Sequence, residues 1–595
     1  MDKMIHTLKY LRVSLLLMFV LIGISRSAHA QYIEFEWSEE YRFTNRKTGF
    51  FSEYVGTSFT TIYLLQRNIS KSKPYDNAKL KLVALNKNSL VEDTVLALKG
   101  FPENESNAAE LNQLDYLKTV VTEEGVFVFW RKLRYTDFAR HEEIYAQTFR
   151  SSLKAALPLK KVFEMEYDVE TEASIFDSSR CVIASNNDLE KLVVGAEFFE
   201  EDKLSFRYVT IDSKLNASKE KSFLLPHKLK KLPKSTTSQY ELRKNGLLYA
   251  NSVVRYTNRE LEGKDIDHPR TYLSLTIANT NSSKFHSVAI KDENKTITDF
   301  SYQDVGGKTR ILGFFGDLEK DTTGIDDQGV FYVDIDDQSL ASSGLNFVYF
   351  ERSIKNRIMS KKVKKKRLED LSPEEFLNSR FDIEHIETMP DSSLVLFFTL
   401  EYNTHEKTSR SDMNGENVYS MHYNYKKSNV YAMRLSNDGT FQWARSFERS
   451  SEYKGVDKED IQVVFKHDKF IVMFGNENPK LKSHRKKRLR HLKKEIEYAV
   501  VDPNSGRAKI YEVEVNEPKT MLKDLRYVDP TTVVAMDGKF YFRQIKVRQN
   551  PLWTAANVVF VPTLYYTILT GNTKLGKGDF TVMKVMPGKK PRRKR

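Results

Sequence analysis

Glu124-Gly125-Val126-Phe127-Val128-Phe129-Trp130 sets a turn directly before five apolar residues, every one β-branched or aromatic. Such side chains favour a pleated backbone. An apolar run without polar alternation suits a strand covered on both faces rather than on one. Runs of this kind recur eight times, beginning near Thr61, Val126, Leu192, Leu247, Ile311, Leu394, Phe470 and Phe540, at intervals of 55 to 83 residues. A regular recurrence of strand-rich units is the mark of a repeat architecture.

Each unit reads alike. An entering strand ends in a tight turn, as at Glu124-Gly125, Asn245-Gly246, Gly306-Gly307 and Asp537-Gly538. Gly, Asn and Asp tolerate the positive φ that short hairpins require. After the apolar strand comes a third with clearer alternation and a polar turn at its end: Leu82 to Leu85, Leu204 to Ile211, Tyr272 to Ile277, Val330 to Ile335, Val430 to Leu435 and Tyr498 to Val501. A fourth then leaves, for instance Phe441 to Phe447 or Lys509 to Val515. Four antiparallel strands per unit make the blade of an all-β propeller, whose closure removes free sheet faces. Eight blades are expected, with seven as the alternative and a pair of β-sandwiches as the competing architecture. The last unit has no fourth strand of its own. Tyr32 to Trp37, apolar at alternate positions, is the spare strand expected to complete it.

The stretch Tyr431-Ala432-Met433-Arg434-Leu435-Ser436-Asn437-Asp438-Gly439-Thr440-Phe441-Gln442-Trp443 resembles the strand, Asp-Gly turn, strand and Trp corner of secreted bacterial β-propellers, including quinoprotein-like ones. The resemblance implies a tryptophan docked between adjacent blades. The other units keep the turn and lose the Trp, so no cofactor or catalytic residue is carried over.

The first thirty residues stand apart. Lys3, Lys9 and Arg12 precede the apolar run Val13 to Ile24, and Ala28-His29-Ala30 supplies small residues at a cleavage site. This reads as a secretory signal peptide over residues 1–30; its apolar run is too short for a stable span. The expected organisation is then a propeller over 31–586, with basic insertions at about 344–378 and 478–495, and a basic tail over 587–595. At 40% apolar and 12% aromatic, the chain is too hydrophobic to be disordered. Cys181 is the single cysteine, so no internal disulfide can form, which favours a bacterial periplasm or cell surface over a eukaryotic secretory route. In Arg180-Cys181-Val182-Ile183-Ala184 it reads as a buried small side chain rather than a nucleophile. Asn68, Asn104, Asn216, Asn281 and Asn294 begin sequons that matter only in a eukaryotic secretory route.

The net charge of +14 is unevenly held. One insertion carries Lys355, Arg357, Lys361, Lys362, Lys364, Lys365, Lys366 and Arg367 in thirteen residues, followed by the helix-start pattern Ser372-Pro373-Glu374-Glu375. The other carries Lys480, Lys482, Arg485, Lys486, Lys487, Arg488, Arg490, Lys493 and Lys494. The tail from Lys584 to Arg595 adds seven positive charges, which leaves the rest of the chain at −10. Concentrated positive charge attracts acidic surfaces in a salt-dependent way. The candidate contact residues are Lys361, Lys362, Lys364, Lys365, Lys366, Arg367, Arg485, Lys486, Lys487, Arg488 and Arg490. Expected partners are a protein, an acidic polysaccharide or a lipid-phosphate surface. Nucleic acid is not expected, because aromatic residues are not interleaved with the basic ones. Trp553 to Leu569 contains Asn557 and Pro562 and reads as a buried strand or hairpin, with a partner-binding or membrane-leaning flap as the alternative.

No enzyme signature is present: no zinc-protease His pair, nucleophile elbow or phosphate-binding loop. Asp317, Glu319, Asp321, Asp326 and Asp327 do not match an EF-hand spacing. No metal or other cofactor is expected. Ile383-Glu384-His385-Ile386-Glu387 offers Glu384 or His385 to a central channel, although a polar strand facing channel water explains it as well. The sequence thus points to a non-catalytic exported propeller acting as a binding or assembly scaffold in a bacterial envelope. The alternative is a carbohydrate-active hydrolase or lyase with carboxylates on the funnel face.

Overall fold

The computed structural model describes residues 33–37, 41–42, 49–69, 80–90, 92–98, 114–123, 125–135, 139–168, 181–186, 191–200, 203–228, 237–243, 245–255, 271–282, 284–292, 294–317, 327–350, 380–411, 417–453, 461–474, 495–514, 524–536, 538–548 and 578–587. Among the described residues, thirty-three strands form seven four-stranded sheets and one five-stranded sheet. The four-stranded sheets are blades 1 to 7, spanning 49–97, 114–168, 181–228, 237–290, 295–349, 380–453 and 462–514. Within each, consecutive strands pair antiparallel. The recurring apolar runs are the second strands, for instance Val126–Tyr135 and Leu394–Ser411.

Blade 8 joins the two ends of the chain. Its strands Asp524–Met536, Lys539–Arg548 and Gly578–Pro587 are completed by Ile33–Trp37, which pairs antiparallel with the last of them from Ile33↔Pro587 to Trp37↔Met583. Tyr41–Arg42 adds two further pairs to the same strand. The N-terminal strand therefore closes the ring, as the missing fourth strand implied.

Period-two geometry explains why the second strands are apolar throughout. In blade 2, Val126, Val128 and Trp130 pack into a core shared with blade 1, while Phe127 and Phe129 pack into a core shared with blade 3. In blade 6, Leu394, Leu396 and Phe398 face blade 5, and Val395 and Phe397 face blade 7. Burying each such side chain contributes about 1.5–3 kcal/mol. Shared cores also join blades 3 with 4, 4 with 5, and 8 with 1, the last through Tyr541 against Ile62, Leu64, Val83, Leu85 and Leu90. The first strands of blades 7 and 8 contact each other, and Gln462 Oε1 accepts from the Ala535 amide at 3.1 Å.

The two ends of the ring differ. At one end lie the turns between strands one and two and between strands three and four, none longer than nine residues. From the other end leave the remaining connections, which span thirty residues at 350–379, twenty at 475–494 and twenty-nine at 549–577. The short-turn end has its own recurring chemistry. Asn86, Asp212, Asn279, Asp336 and Asp502 each accept two backbone N–H groups within the turn that they open. Leu90, Leu153 and Leu215 sit in these turns at φ of 57°, 58° and 59° and are buried in the inter-blade cores. A left-handed backbone is costly for leucine, and the burial offsets that cost. Of the glycines read as hairpin corners, Gly246, Gly306, Gly307 and Gly538 do adopt positive φ. Gly125 does not; a Cβ there would lie 2.3 Å from the Phe149 carbonyl oxygen, so close approach is what requires it.

Candidate functional site

The basic contact candidates Lys361, Lys362, Lys364, Lys365, Lys366, Arg367, Arg485, Lys486, Lys487, Arg488 and Arg490 lie outside the described residues, as do Trp553 to Leu569 and the tail from residue 588. Their flanks are described. Tyr349 pairs with Gly329, and Phe474 pairs with Glu497, at the long-connection end of blades 5 and 7. The tail follows Pro587, which is level with Ile33 at the short-turn end of blade 8. The two insertions are thus rooted at one end of the ring and the tail at the other.

The central channel is the second candidate. First strands of consecutive blades contact one another, among them those of blades 1 and 2, 5 and 6, and 8 and 1. Polar side chains bridge from blade to blade along this inner ring. Lys118 Nζ donates to the Ile183 carbonyl at 3.1 Å, and burial lowers the pKa of this amine. Asn186 Nδ2 donates to the Leu242 carbonyl at 3.1 Å. Tyr240 donates to Glu197 Oε1 at 2.6 Å. Arg243 links Glu241 of its own blade to Asp304 of the next. Asp299 Oδ2 accepts from the Ile383 amide at 2.6 Å, and Gln303 Nε2 donates to Thr388 Oγ1 at 2.6 Å.

Glu384 and His385, the sequence-based channel candidates, part company at a β-bulge between Ile383 and His385. Thr399, fully buried, donates to Glu384 Oε1 at 2.7 Å. His385 Nε2 lies 3.2 Å from Glu387 Oε2, both partly exposed. The two side chains lie within hydrogen-bonding distance, two residues apart on the same strand. This pair is what the strand assembles from the nominated residues; the acidic stretch from Asp317 to Asp327 is largely outside the described residues. Among the described residues no group of three or more His, Cys, Asp or Glu side chains is placed to hold a metal, and no helix is long and apolar enough to cross a membrane.

Cys181 is partly buried against the core of blades 2 and 3. Burial pushes its thiol pKa up, the negative charge of Glu142 adds to this, and Arg131 opposes it. That is the inert environment its sequence context suggested.

Trp443 is 4% exposed and packs under the strand three to four turn of blade 7. Its Nε1 donates to the Pro503 carbonyl at 2.9 Å. Arg434 reinforces the junction, donating to Pro503 O at 3.0 Å, Asn504 Oδ1 at 2.9 Å, Ser393 Oγ at 2.8 Å and Asp391 Oδ2 at 2.6 Å. Blade 5 clasps blade 6 in the same way through Arg310, which pairs with Asp334 and donates to the Asn437 carbonyl at 2.7 Å. The docking of Trp443 between blades is what the resemblance implied; the arginine clasps, like the channel bridges, escaped the sequence, because an Arg or Tyr in a strand gives no sign that it reaches the next blade.

No protein-family model matches the chain, and no curated protein matches it in sequence. Solved structures align at low similarity. The WD40 domain of SCAP from fission yeast is 7% identical with a TM-score of 0.34, covering 94% of this chain and 99% of that one. Polysaccharide lyase Uly1 is 9% identical with a TM-score of 0.33, covering 93% and 99%. The β-propeller domain of the Trilobed protease from Pyrococcus furiosus is 10% identical with a TM-score of 0.32, covering 79% and 97%. The propeller assignment rests on the sheet topology and the inter-blade cores described above.

Proposed function

We propose that the protein is an exported, non-catalytic β-propeller that serves as a binding or assembly scaffold in a bacterial cell envelope. An acidic partner, whether protein, acidic polysaccharide or lipid phosphate, is contacted through the two basic insertions. The observation that carries this reading is their common origin: seventeen positive charges are attached at one end of the ring, through Tyr349 and Arg380 in one case and Phe474 and Glu495 in the other. Positive charge gathered at one end of a mildly acidic body attracts anions over several ångströms and weakens with salt. The inter-blade engagement of Lys118, Asp299 and Arg243 supports a structural use of the inner ring.

The test is a pulldown from envelope extract at low and high salt, comparing the mature chain with one lacking 355–367 and 480–494. A partner retained by the first, lost from the second and released by salt supports the reading. A partner captured equally by both contradicts it.

A carbohydrate-active enzyme is the second reading, favoured by the pairing of His385 with Glu387 on a first strand. New reducing ends or unsaturated products from a uronic-acid polysaccharide, abolished by His385→Ala or Glu387→Gln, would establish it.

A further inference from the structure

Lys118 and Arg243 both bridge first strands of the inner ring, but on different terms. Arg243 is held by two carboxylates, Glu241 of its own blade and Asp304 of the next. Lys118, on the first strand of blade 2 (Leu114–Val121), gives its amine to a backbone carbonyl, that of Ile183 on the first strand of blade 3, at 3.1 Å. Among the described residues that hydrogen bond is its one polar contact, and no carboxylate lies within ion-pairing reach. The residue as a whole is nonetheless exposed.

The backbone aims it there. Leu114 and Tyr116 pack into the core shared with blade 1. Strict alternation would send Lys118 to that same face. Instead the register shifts between Tyr116↔Trp130 and Lys118↔Phe129, so that Leu117 is an extra residue. Beyond the shift, Lys118 shares a face with Val120, which packs into the core of blades 2 and 3. Leu117 packs against that core as well. A bulge re-aims the side chains that follow it, and bulges of this kind are frequent beside functional sites.

An ammonium that gives up water without gaining a carboxylate is disfavoured against the neutral amine. Part of the Lys118 side chain meets solvent; the amine, set against the neighbouring first strand, is the desolvated part, and its pKa is lowered. The hydrogen bond to Ile183 uses one N–H and leaves the lone pair of the neutral amine available. Desolvated lysines of this kind form Schiff bases with carbonyl compounds.

We propose that Lys118 is a covalent capture site in the inner ring for small aldehydes. An aldehyde offers the least hindered carbonyl to an amine already held on one side. The nitrogen lone pair attacks the carbonyl carbon, the C=O π electrons move to oxygen, and a proton passes from nitrogen to that oxygen to give a carbinolamine. The hydroxyl then takes a proton from solvent and leaves as water while the nitrogen lone pair forms the C=N bond. Loss of the remaining N–H proton to solvent gives the imine. One water is released, and nothing is oxidised or reduced. The site owes nothing to the basic insertions or to a partner bound through them.

The experiment treats the full mature chain at neutral pH with propanal and cyanoborohydride, which reduces each imine to a stable secondary amine. Peptide mass spectrometry compares the initial rate at Lys118 with that at Lys214, exposed in a turn of blade 3. The proposal predicts labelling several times faster at Lys118, a rate there that levels off at lower pH than at Lys214, and loss of both differences in urea. Lys118→Arg should abolish this label and leave that of Lys214 unchanged. A rate at Lys118 equal to or below that of Lys214 in the native chain would overturn the proposal and leave the amine as a strut between blades. A fast rate that persists in urea would overturn it too, since the fold would then play no part. Both readings come from the native sequence and stand even where Lys118→Arg fails to fold.

Discussion

The indole N–H of Trp443 in blade 6 donates to the carbonyl of Pro503 in blade 7, and a Cβ added at Gly506, three residues on, would lie 2.5 Å from the indole Cε3. The turn of one blade is thus built around a side chain of the preceding one. Inter-blade closure at this junction depends on both residues.

Gly506 has φ +64°, so Gly506→Ala combines a left-handed alanine with a clash against Trp443. Gly307, at φ +80°, has nothing within 4 Å of an added Cβ. Gly307→Ala should cost about 1–2 kcal/mol through backbone strain alone, and Gly506→Ala about 1–3 kcal/mol more through overpacking. Trp443→Phe leaves Pro503 O with its Arg434 donor and should cost about 1 kcal/mol for the lost hydrogen bond. Trp443→Ala should cost about 3–5 kcal/mol. Denaturant titrations of the four variants check this order.

Acid should loosen the same turn. Lys469 beside Asp502, together with N–H and O–H donation from Ser505, holds the Asp502 carboxyl down at about 2. A depressed carboxylate pKa contributes stability that is complete above the ordinary value of about 4 and is lost as the pH falls toward 2. The stability difference between the native chain and Asp502→Asn should therefore be constant from pH 7 to 5 and shrink below pH 4. A difference that grows on acidification would contradict the assignment.

Ring closure by the chain ends has a measurable consequence. Removing residues 31–42 leaves the outer edge of Gly578–Pro587 without its partner strand. An unpaired edge recruits other strands. The shortened protein should be more susceptible to proteolysis within blade 8 and should self-associate on size-exclusion chromatography with light scattering. A monodisperse, protease-resistant monomer would show that closure does not depend on this strand.

Cys181, packed against the core of blades 2 and 3 with its thiol pKa raised by burial, should react slowly with a thiol reagent at neutral pH. Labelling should become rapid only in denaturant, with a midpoint matching global unfolding. Rapid labelling of the native protein would place a reactive thiol at that junction instead.

Much of this architecture was legible in the residues. Second strands such as Val126–Tyr135 announce themselves because burial on both faces forces apolar residues at every position. Ile33–Trp37 was recoverable as the closing strand because the last unit is one strand short. The docking of Trp443 was implied by the resemblance that the Asp438-Gly439 turn and the following Trp carry, and by nothing else in the residues. The extension of Leu394–Ser411 and Asn417–Leu435 beyond the other second and third strands was not anticipated, although Asn414-Gly415 offered a hairpin turn. Its polar residues pass for a loop when no core demands apolar ones. The channel bridges were beyond reach, because Asp299 meeting the Ile383 amide depends on a bulge and on the placement of a neighbouring blade.

A scaffold of the kind proposed would meet its partner at the long-connection end of the ring. A photo-crosslinking residue placed at Tyr349, 49% exposed at that end, can be compared with one at Phe59, 76% exposed in a turn at the opposite end. In envelope extract at low salt, an adduct is expected from position 349 that disappears when the basic insertions are deleted, and none from position 59. An adduct formed only from position 59, or one from 349 indifferent to the insertions, would contradict it.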